Sequence, residues 1–411
     1  MVDNIVLGNE PRKRPFLYDR RKALAQVEEV CETYKLQADL NALVSGISLA
    51  MKQRVEIIKT LYRKADILIL DEPTAVLTPQ DIEELGQVLR QLKSLGKTII
   101  IITHKIEEVM NFSDRVTVLR QGKKVGTVIT KETNPQEITR LMVGKEVALG
   151  GEKKEALKND PLLAFENVGL KGVLQDISFT MKQGEILGVA GIDGSGQTEI
   201  GELICGVRQP EQGNIYYEGK EISGLTVRQR KELGLAYIPQ DRHRHGLVLP
   251  FNTAENLILG FHRRKAYRTR KGFLNDRAIV DNAKAKITRF DIRPPEVSQS
   301  GADFSGGNQQ KIIIAREVGS DPVLLVADQP TRGVDIGAIE FIHSTIVDKR
   351  NNGCAVLLIS LELDEVLMLS DRVMVVHEGK IMGIVDPKGT TREEIGLMML
   401  GQKGGRNDEA Q

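Results

Sequence analysis

Compared with itself at an offset of 257 residues, the chain repeats. Asp71-Glu72-Pro73-Thr74 falls on Asp328-Gln329-Pro330-Thr331, and Ser113-Asp114-Arg115-Val116 falls on Ser370-Asp371-Arg372-Val373. Nearer the start the offset is 252, where Asn4-Ile5-Val6-Leu7-Gly8 falls on Asn256-Leu257-Ile258-Leu259-Gly260. Such a repeat constrains the fold more than composition does, because each copy must form the same kind of module. The expectation is a first module over 1–145, a polar linker over 146–161, a second module over 162–400 and a frayed tail over 401–411. Met1 aligns with Thr253, in the middle of the second copy, so the first copy is expected to be cut short at its front.

The apolar runs at 67–70, 98–102, 323–327 and 355–359 read as buried parallel strands. Each is short, β-branched or leucine-rich, and followed by a helical pattern. Strand and helix in alternation predict an α/β fold with mainly parallel sheets. Ligands of such sheets sit at the carboxyl ends of strands. With 27% charged residues and a net charge of +1, nothing in the composition pulls the chain toward nucleic acid. No apolar run reaches the length of a membrane span. Cys31, Cys205 and Cys354 lack metal-ligand spacing and read as buried thiols.

Gly191-Ile192-Asp193-Gly194-Ser195-Gly196-Gln197-Thr198 follows the strand at 186–190 and precedes a helical stretch. This is the spacing of a phosphate-binding loop, in which glycines let backbone N–H groups curl around phosphate oxygens at a helix N-terminus. Thr198 stands where a hydroxyl would meet Mg²⁺, and Gln197 replaces the usual lysine. A plain glycine turn between strand and helix is the alternative. Asp328 ends a strand, where a carboxylate can hold Mg²⁺ through water. Its neighbour Gln329 cannot act as a base, whereas Asp71 in the first copy is followed by Glu72, which can polarise a water. Alone, an acidic pair after a strand also suits a helix cap. His104, after the strand at 98–102, could donate a hydrogen bond to a γ-phosphate, and its repeat partner is Leu361. Ser305, Gly306 and Gly307 lead into a helix beginning near Asn308, leaving backbone N–H groups free for an anion. The first copy has Ser48-Leu49-Ala50 there, where two side chains crowd what the glycines leave open.

In this order, the phosphate loop, the Ser-Gly-Gly helix start, the strand-end carboxylates and the histidine resemble the ATP-binding subunits of ABC transporters. The resemblance covers essentially the whole chain. The tandem arrangement, Glu72-Pro73-Thr74-Ala75-Val76-Leu77-Thr78-Pro79, Gln329-Pro330-Thr331-Arg332-Gly333-Val334-Asp335 and Asp241-Arg242-His243-Arg244-His245-Gly246-Leu247 look like the importers for simple sugars and nucleosides. Gln197 and Gln329 look more like the nucleoside branch. The resemblance implies tandem P-loop ABC ATPase modules with helical subdomains, and ATP and Mg²⁺ as cofactors. It gives Asp71, Thr198 and Asp328 to the metal, and Glu72 and His104 to catalysis. Residues 191–198, Gln240, Ser305, Gly306 and Gly307 go to the nucleotide, with Gln240 in the loop that senses the membrane partner.

The resemblance further implies head-to-tail modules, each ATP lying between one phosphate loop and the other module's Ser-Gly-Gly start. One site then has residues 191–198, Asp328, Gln329 and Leu361 and is poor at hydrolysis. The other has Asp71, Glu72 and His104 but no phosphate loop of its own. Gly191 precedes Asp328 by 137 residues, while only 70 residues precede Asp71. The chain by itself is therefore expected to hydrolyse ATP little. Its expected role is energising import of nucleosides or simple sugars from the cytoplasmic side of the membrane. Its implied partners are transmembrane permease subunits and, through the complex, an extracytoplasmic substrate-binding protein, without nucleic acid. The alternatives are a soluble tandem ABC protein acting on ribosomes or nucleic acid, and a non-hydrolytic remnant. Basic runs at 12–14 and 263–265 read as solvated faces, or as contacts with the membrane partner or anionic headgroups.

Overall fold

The computed structural model describes all residues except 15, 37, 75–78, 104, 121, 144–160, 335 and 403–411. The expected linker at 146–161 and tail at 401–411 therefore fall almost wholly outside the described residues, as does His104. The chain divides into two compact units, Met1–Val147 and Ala148–Gln411.

The first unit opens with α1 (Val2–Val6), a hairpin of β1 (Arg12–Arg14) and β2 (Leu17–Tyr18), then α2 (Arg20–Thr33) and α3 (Leu49–Tyr62). Asp19 caps α2 by accepting from the Lys22 amide, and Ser48 caps α3 by accepting from the Met51 amide. Apolar residues at helical spacing, such as Ala23 and Val27 of α2, pack with Ile5 and Ile58 into this unit's core. The strands β3 (Ile67–Asp71) and β4 (Thr98–Ile102) are parallel and joined through α4 (Pro79–Ser94). After α5 (Ile106–Phe112), the strands β5 (Arg115–Arg120) and β6 (Lys123–Ile129) form an antiparallel hairpin, and α6 (Pro135–Val143) follows.

The second unit begins with β7 (Pro161–Leu170), β8 (Leu174–Lys182) and β9 (Ile186–Ala190), then α7 (Gln197–Cys205), β10 (Gln212–Tyr217), β11 (Lys220–Glu221), α8 (Val227–Glu232) and β12 (Leu235–Ile238). A helical layer of α9 (Thr253–Ile258), α10 (Asp276–Arg289) and α11 (Gly306–Glu317) comes next. The chain then runs through β13 (Leu324–Asp328), α12 (Ile336–Asn351), β14 (Ala355–Ile359), α13 (Leu363–Leu369), β15 (Arg372–His377), β16 (Lys380–Val385) and α14 (Arg392–Met399). The main sheet has six strands in the order β12-β13-β14-β9-β15-β16, and only the edge strand β16 is antiparallel. The strand expected at 323–327 runs one residue later and so includes Asp328. A second sheet, β11-β10-β7-β8, is wholly antiparallel, a feature that sequence alternation did not predict.

The fully buried main-sheet strands explain the continuous apolar runs at 323–327 and 355–359, whereas the runs at 67–70 and 98–102, also expected to be buried, are exposed at alternate residues. One sheet face packs on α7 and the antiparallel sheet, bringing Leu324, Val326, Leu357 and Ile359 against Ile200, Leu203 and Phe165. The other face packs on the helical layer, with Leu325 and Leu358 against Ile312 and Ala283. Burying each such side chain contributes about 1.5–3 kcal/mol. In the first unit the repeat partners of that first set, Ile67, Ile69, Ile100 and Ile102, are exposed.

Candidate functional site

Of the residues singled out in the second unit, 191–198, Gln240 and Asp328 lie at the carboxyl ends of β9, β12 and β13. Residues 191–196 leave β9 and turn directly into α7. Gly194 and Gly196 have φ of +84° and +102°, and a Cβ on Gly191 would lie 2.5 Å from the Val376 carbonyl. Only glycine accepts such backbone and such close approach. The turn leaves the first amides of α7 at the loop, the arrangement that favours an anion. Ser195 and Gln197 are buried, while Ile192 is exposed. The Gln197 amide donates to the Ile192 carbonyl at 2.9 Å, so this side chain braces its own loop.

Thr198 donates to Oε1 of Gln240 at 3.4 Å, which ties the start of α7 to the loop after β12. Asp328 is completely buried at the end of β13, and among the described residues neither of its carboxylate oxygens has a well-formed hydrogen bond. Burial pushes its pKa up to about 7. The approaching Thr198 hydroxyl opposes the rise, while the charges of Glu202 and Glu199 add to it. Two orphaned carboxylate oxygens beside a hydroxyl and an amide oxygen form a pocket of hard acceptors. Among the described residues there is no cluster of three or more His, Cys, Asp or Glu able to hold a metal alone.

Gln329 has φ +50°, and its counterpart Glu72 has φ +44°. Both amides donate to the end of the neighbouring strand, to Ile359 and Ile102 respectively, each at 2.8 Å. Each unit thus holds this residue in a left-handed conformation that non-glycine residues adopt at a cost. The surroundings differ. Gln329 is buried and its Oε1 accepts from the Leu361 amide at 3.4 Å, whereas Asp71 and Glu72 are exposed.

Ser305, Gly306 and Gly307 correct the expected helix start near Asn308. Helix α11 begins at Gly306, with Ser305 extended at its N-cap, so both glycines lie in the first turn. Asn308 donates to Ser305 Oγ at 3.0 Å. Arg242 donates to the carbonyls of Gly306 and Arg332 at 3.4 and 3.2 Å, and His243 meets Gln309 at 2.9 Å. The basic turn after Gln240 is thereby fastened to the Ser-Gly-Gly start. Among the described residues no hydrogen bond joins 305–307 to 191–198. Ser48 heads α3 in the corresponding place, and the side chains of Leu49 and Ala50 lie outside the described residues.

Sequence reasoning missed Glu108. It is buried in the first unit and accepts from the hydroxyls of Thr74 and Thr103, the latter at 2.8 Å. Its repeat partner Glu365 instead meets His343 Nε2 at 2.7 Å, and its second oxygen has no partner among the described residues. The cue was present as Glu108 at 257 residues from Glu365, but the contacts themselves are long-range.

Residues 3–75 and 174–332 match the model of the ABC transporter family. The chain is 46% identical over 406 residues to the guanosine import ATP-binding protein of Bacillus subtilis, covering 98% of this chain and 79% of that protein. It is 45% identical to the nucleoside import ATP-binding protein of Lactococcus lactis subsp. cremoris over 98% of this chain and 80% of that one. The glucose import ATP-binding protein of Haloferax volcanii is 39% identical, with 98% of this chain and 79% of that protein covered. These coverages do not establish the truncation expected for the first module. Nucleotide binding follows from the family, and no described helix is long and apolar enough to cross a membrane. On the family match, and on identity of this level along nearly its whole length, the chain belongs to the ABC transporter family.

Proposed function

We propose that this chain is an ATP-binding subunit that couples ATP binding and hydrolysis to import, with nucleosides as the favoured substrate class and simple sugars the alternative. The observation that carries the choice is identity of 46% and 45% to the two nucleoside-import relatives against 39% to the glucose-import one. The working unit is a tandem of modules bounded near 1–145 and 162–400.

In the second module, residues 191–198 cradle the phosphates through backbone N–H groups. The family implies Mg²⁺, and the orphaned oxygens of Asp328 with the Thr198 hydroxyl fit it. Mg²⁺ neutralises phosphate charge when bound. Gln240 reports the state of the pocket to the turn that Arg242 fastens to α11. Gln197 supplies no charge to the phosphates, because its side chain is a neutral amide, and that amide already donates to Ile192. Ser305, Gly306 and Gly307 offer backbone N–H groups to a γ-phosphate. In the first module, Asp71 serves the metal, Glu72 polarises water and His104 donates to the γ-phosphate. The exposed Glu72 has room for a water, whereas the buried Gln329 has neither the charge nor the space.

The partners are transmembrane permease subunits and, through them, an extracytoplasmic substrate-binding protein. The chain sits at the cytoplasmic face and contacts no nucleic acid. Calorimetric titration of the purified chain with Mg²⁺ and ATP tests the second module. Thr198→Val and Asp328→Asn are each expected to weaken binding by about tenfold or more. Unaltered affinity in both variants would remove the assignment. Co-expression with the permease should carry the chain into the membrane fraction, and sedimentation with ribosomes instead would favour the soluble alternative.

A further inference from the structure

The basic run at 12–14 lies on an exposed hairpin, the run at 263–265 leads into another at 268–274, and each hairpin carries an exposed phenylalanine. In the first unit Arg12 pairs with Tyr18 and Arg14 with Leu17. Arg12, Lys13 and Arg14 are exposed, Phe16 is 99% exposed and Leu17 56%. In the second unit Arg268 pairs with Leu274, the Thr269 amide donates to the Phe273 carbonyl at 2.8 Å, and the Gly272 amide closes the turn on Thr269 at 2.9 Å. Arg263, Arg264, Lys265, Arg268, Arg270 and Lys271 surround this hairpin, all exposed, and Phe273 is 73% exposed. Phe16 and Phe273 are 257 residues apart, the offset that aligns the strands.

Both hairpins are rooted in the folded protein. The Tyr18 hydroxyl donates to Asp3 at 2.7 Å, and Asp19 caps α2. In the second unit the Asn275 amide donates to the Tyr267 carbonyl at 3.0 Å, and the guanidinium of Arg264 lies 4.5 Å from the ring of the buried Phe261. The roots are fixed while the aromatic residues face solvent.

A basic run alone is ordinarily a solvated face, and a single exposed apolar residue is normal. The combination is different, because it occurs in both repeats at matched positions. An aromatic side chain beside several Lys and Arg side chains suits the boundary of an anionic bilayer. There the ring enters the headgroup region and each cation adds about fivefold in partitioning. The whole chain carries a net charge of only +1, so these patches are local concentrations.

We propose that the hairpins at 12–18 and 268–274 are membrane-surface feet that bind anionic lipid headgroups, with Phe16 and Phe273 inserted among them. This goes beyond energising a permease, because it gives the chain an affinity for the bilayer that needs no permease.

The test is flotation of the full chain with permease-free vesicles, of phosphatidylcholine alone or mixed with phosphatidylglycerol, at low and raised salt. The expected result is binding to the mixed vesicles at least about tenfold stronger than to the neutral ones, weakened by salt. Phe16→Ser combined with Phe273→Ser should reduce that binding several-fold while melting temperature and Mg²⁺–ATP binding stay unchanged. Absence of binding to the mixed vesicles at low salt overturns the proposal. So does equal vesicle binding by the double variant, including the case where that variant loses only permease co-fractionation, which would make the hairpins protein contacts. Loss of Mg²⁺–ATP binding in the unmutated chain counts against the nucleotide assignment and leaves the lipid result to be read independently.

Discussion

The Thr103 hydroxyl donates to Glu108 at 2.8 Å while accepting from the Lys105 amide at 3.0 Å, so one buried carboxylate holds the backbone on both sides of position 104. The other oxygen of Glu108 takes the Thr74 hydroxyl, two residues beyond Glu72. A single side chain thus links the loop after β3 to the loop after β4. In the second unit His343 occupies the equivalent carboxylate, and Gly86 stands in the place of His343. A side chain at 86 would collide with Phe112, whose ring lies 2.5 Å from the position of a Cβ. The two units therefore support their corresponding loops by different bonds.

Glu108→Ala is expected to destabilise the chain by about 1–3 kcal/mol, since it leaves buried hydroxyls without their acceptor. The sharper readout is amide hydrogen exchange. Protection should fall together in the segments around 71–74 and 103–105, and Glu108→Gln should restore part of it. Loss in only one segment would show that the carboxylate does not link them.

Arg230 is fully buried, and among the described residues no carboxylate pairs with it. Its guanidinium donates to the carbonyls of Leu203, Ile204, Leu225 and Ser223. It closes the C-terminal end of α7, where free carbonyls and the helix dipole favour a cation. Burial lowers its pKa from the usual arginine value. Arg230→Leu should cost about 2–4 kcal/mol by urea unfolding, because several carbonyls lose their donor at once. Lys at this position should recover only part, since it lacks the planar fork. A loss below about 0.5 kcal/mol would mean that water replaces the guanidinium there.

Lys286 on α10 carries the main expectation for pH. Burial lowers its pKa to about 8, the neighbouring Glu317 pulls it back up, and Arg316, Arg264 and Arg289 press it down. Between about 8 and the ordinary lysine value near 10.4, the unfolded chain holds a proton that the folded chain has released. Stability from this group therefore rises as pH climbs through that window. Below pH 8 the folded state bears the charge at a cost of at most about 3 kcal/mol. Lys286→Met should raise the urea midpoint at pH 7 and flatten the pH dependence between 8 and 10. An unchanged slope would place the lysine head in water.

Much of the site was legible because a repeat compares the protein with itself. The apolar runs located β4 and β14 at their sequence-expected bounds and β3 and β13 within one residue, and the offset paired them. It also singled out Gln329 against Glu72, and the backbone proves equally left-handed at both. What stayed hidden depends on contacts distant in sequence. Apolar alternation cannot say that Asp328 is sealed while Asp71 is exposed, because burial there is set by what covers each strand. The antiparallel sheet of β7, β8, β10 and β11 escaped notice because β7 breaks strict alternation at its register shifts and β11 has only two residues. The serine and two glycines were expected to lead into a helix beginning near Asn308, yet the helix starts at Gly306, with Ser305 extended at its N-cap. Cys31, expected buried, is only half-buried on α2.

Position 329 tests what distinguishes the two units. Gln329 is buried beside Asp328, whose carboxyl is already pushed up to about 7. Gln329→Glu places a second buried carboxyl next in sequence to Asp328, and burial together with the neighbouring charge disfavours ionising both. At pH 5 the pair can keep its protons, so the variant should lose little stability. At pH 8 ionisation meets both burial and repulsion, and the loss should reach about 1–3 kcal/mol. Added Mg²⁺ should recover part of it if the pocket accepts the cation. Glu72 in the first unit has the same backbone conformation but is exposed, so Glu72→Gln should change stability by less than about 0.5 kcal/mol at either pH. Melting curves of the two reciprocal variants at pH 5 and 8 decide the matter. Equal losses at both pH values for Gln329→Glu would mean that packing, and not charge, sets the identity of the residue after Asp328.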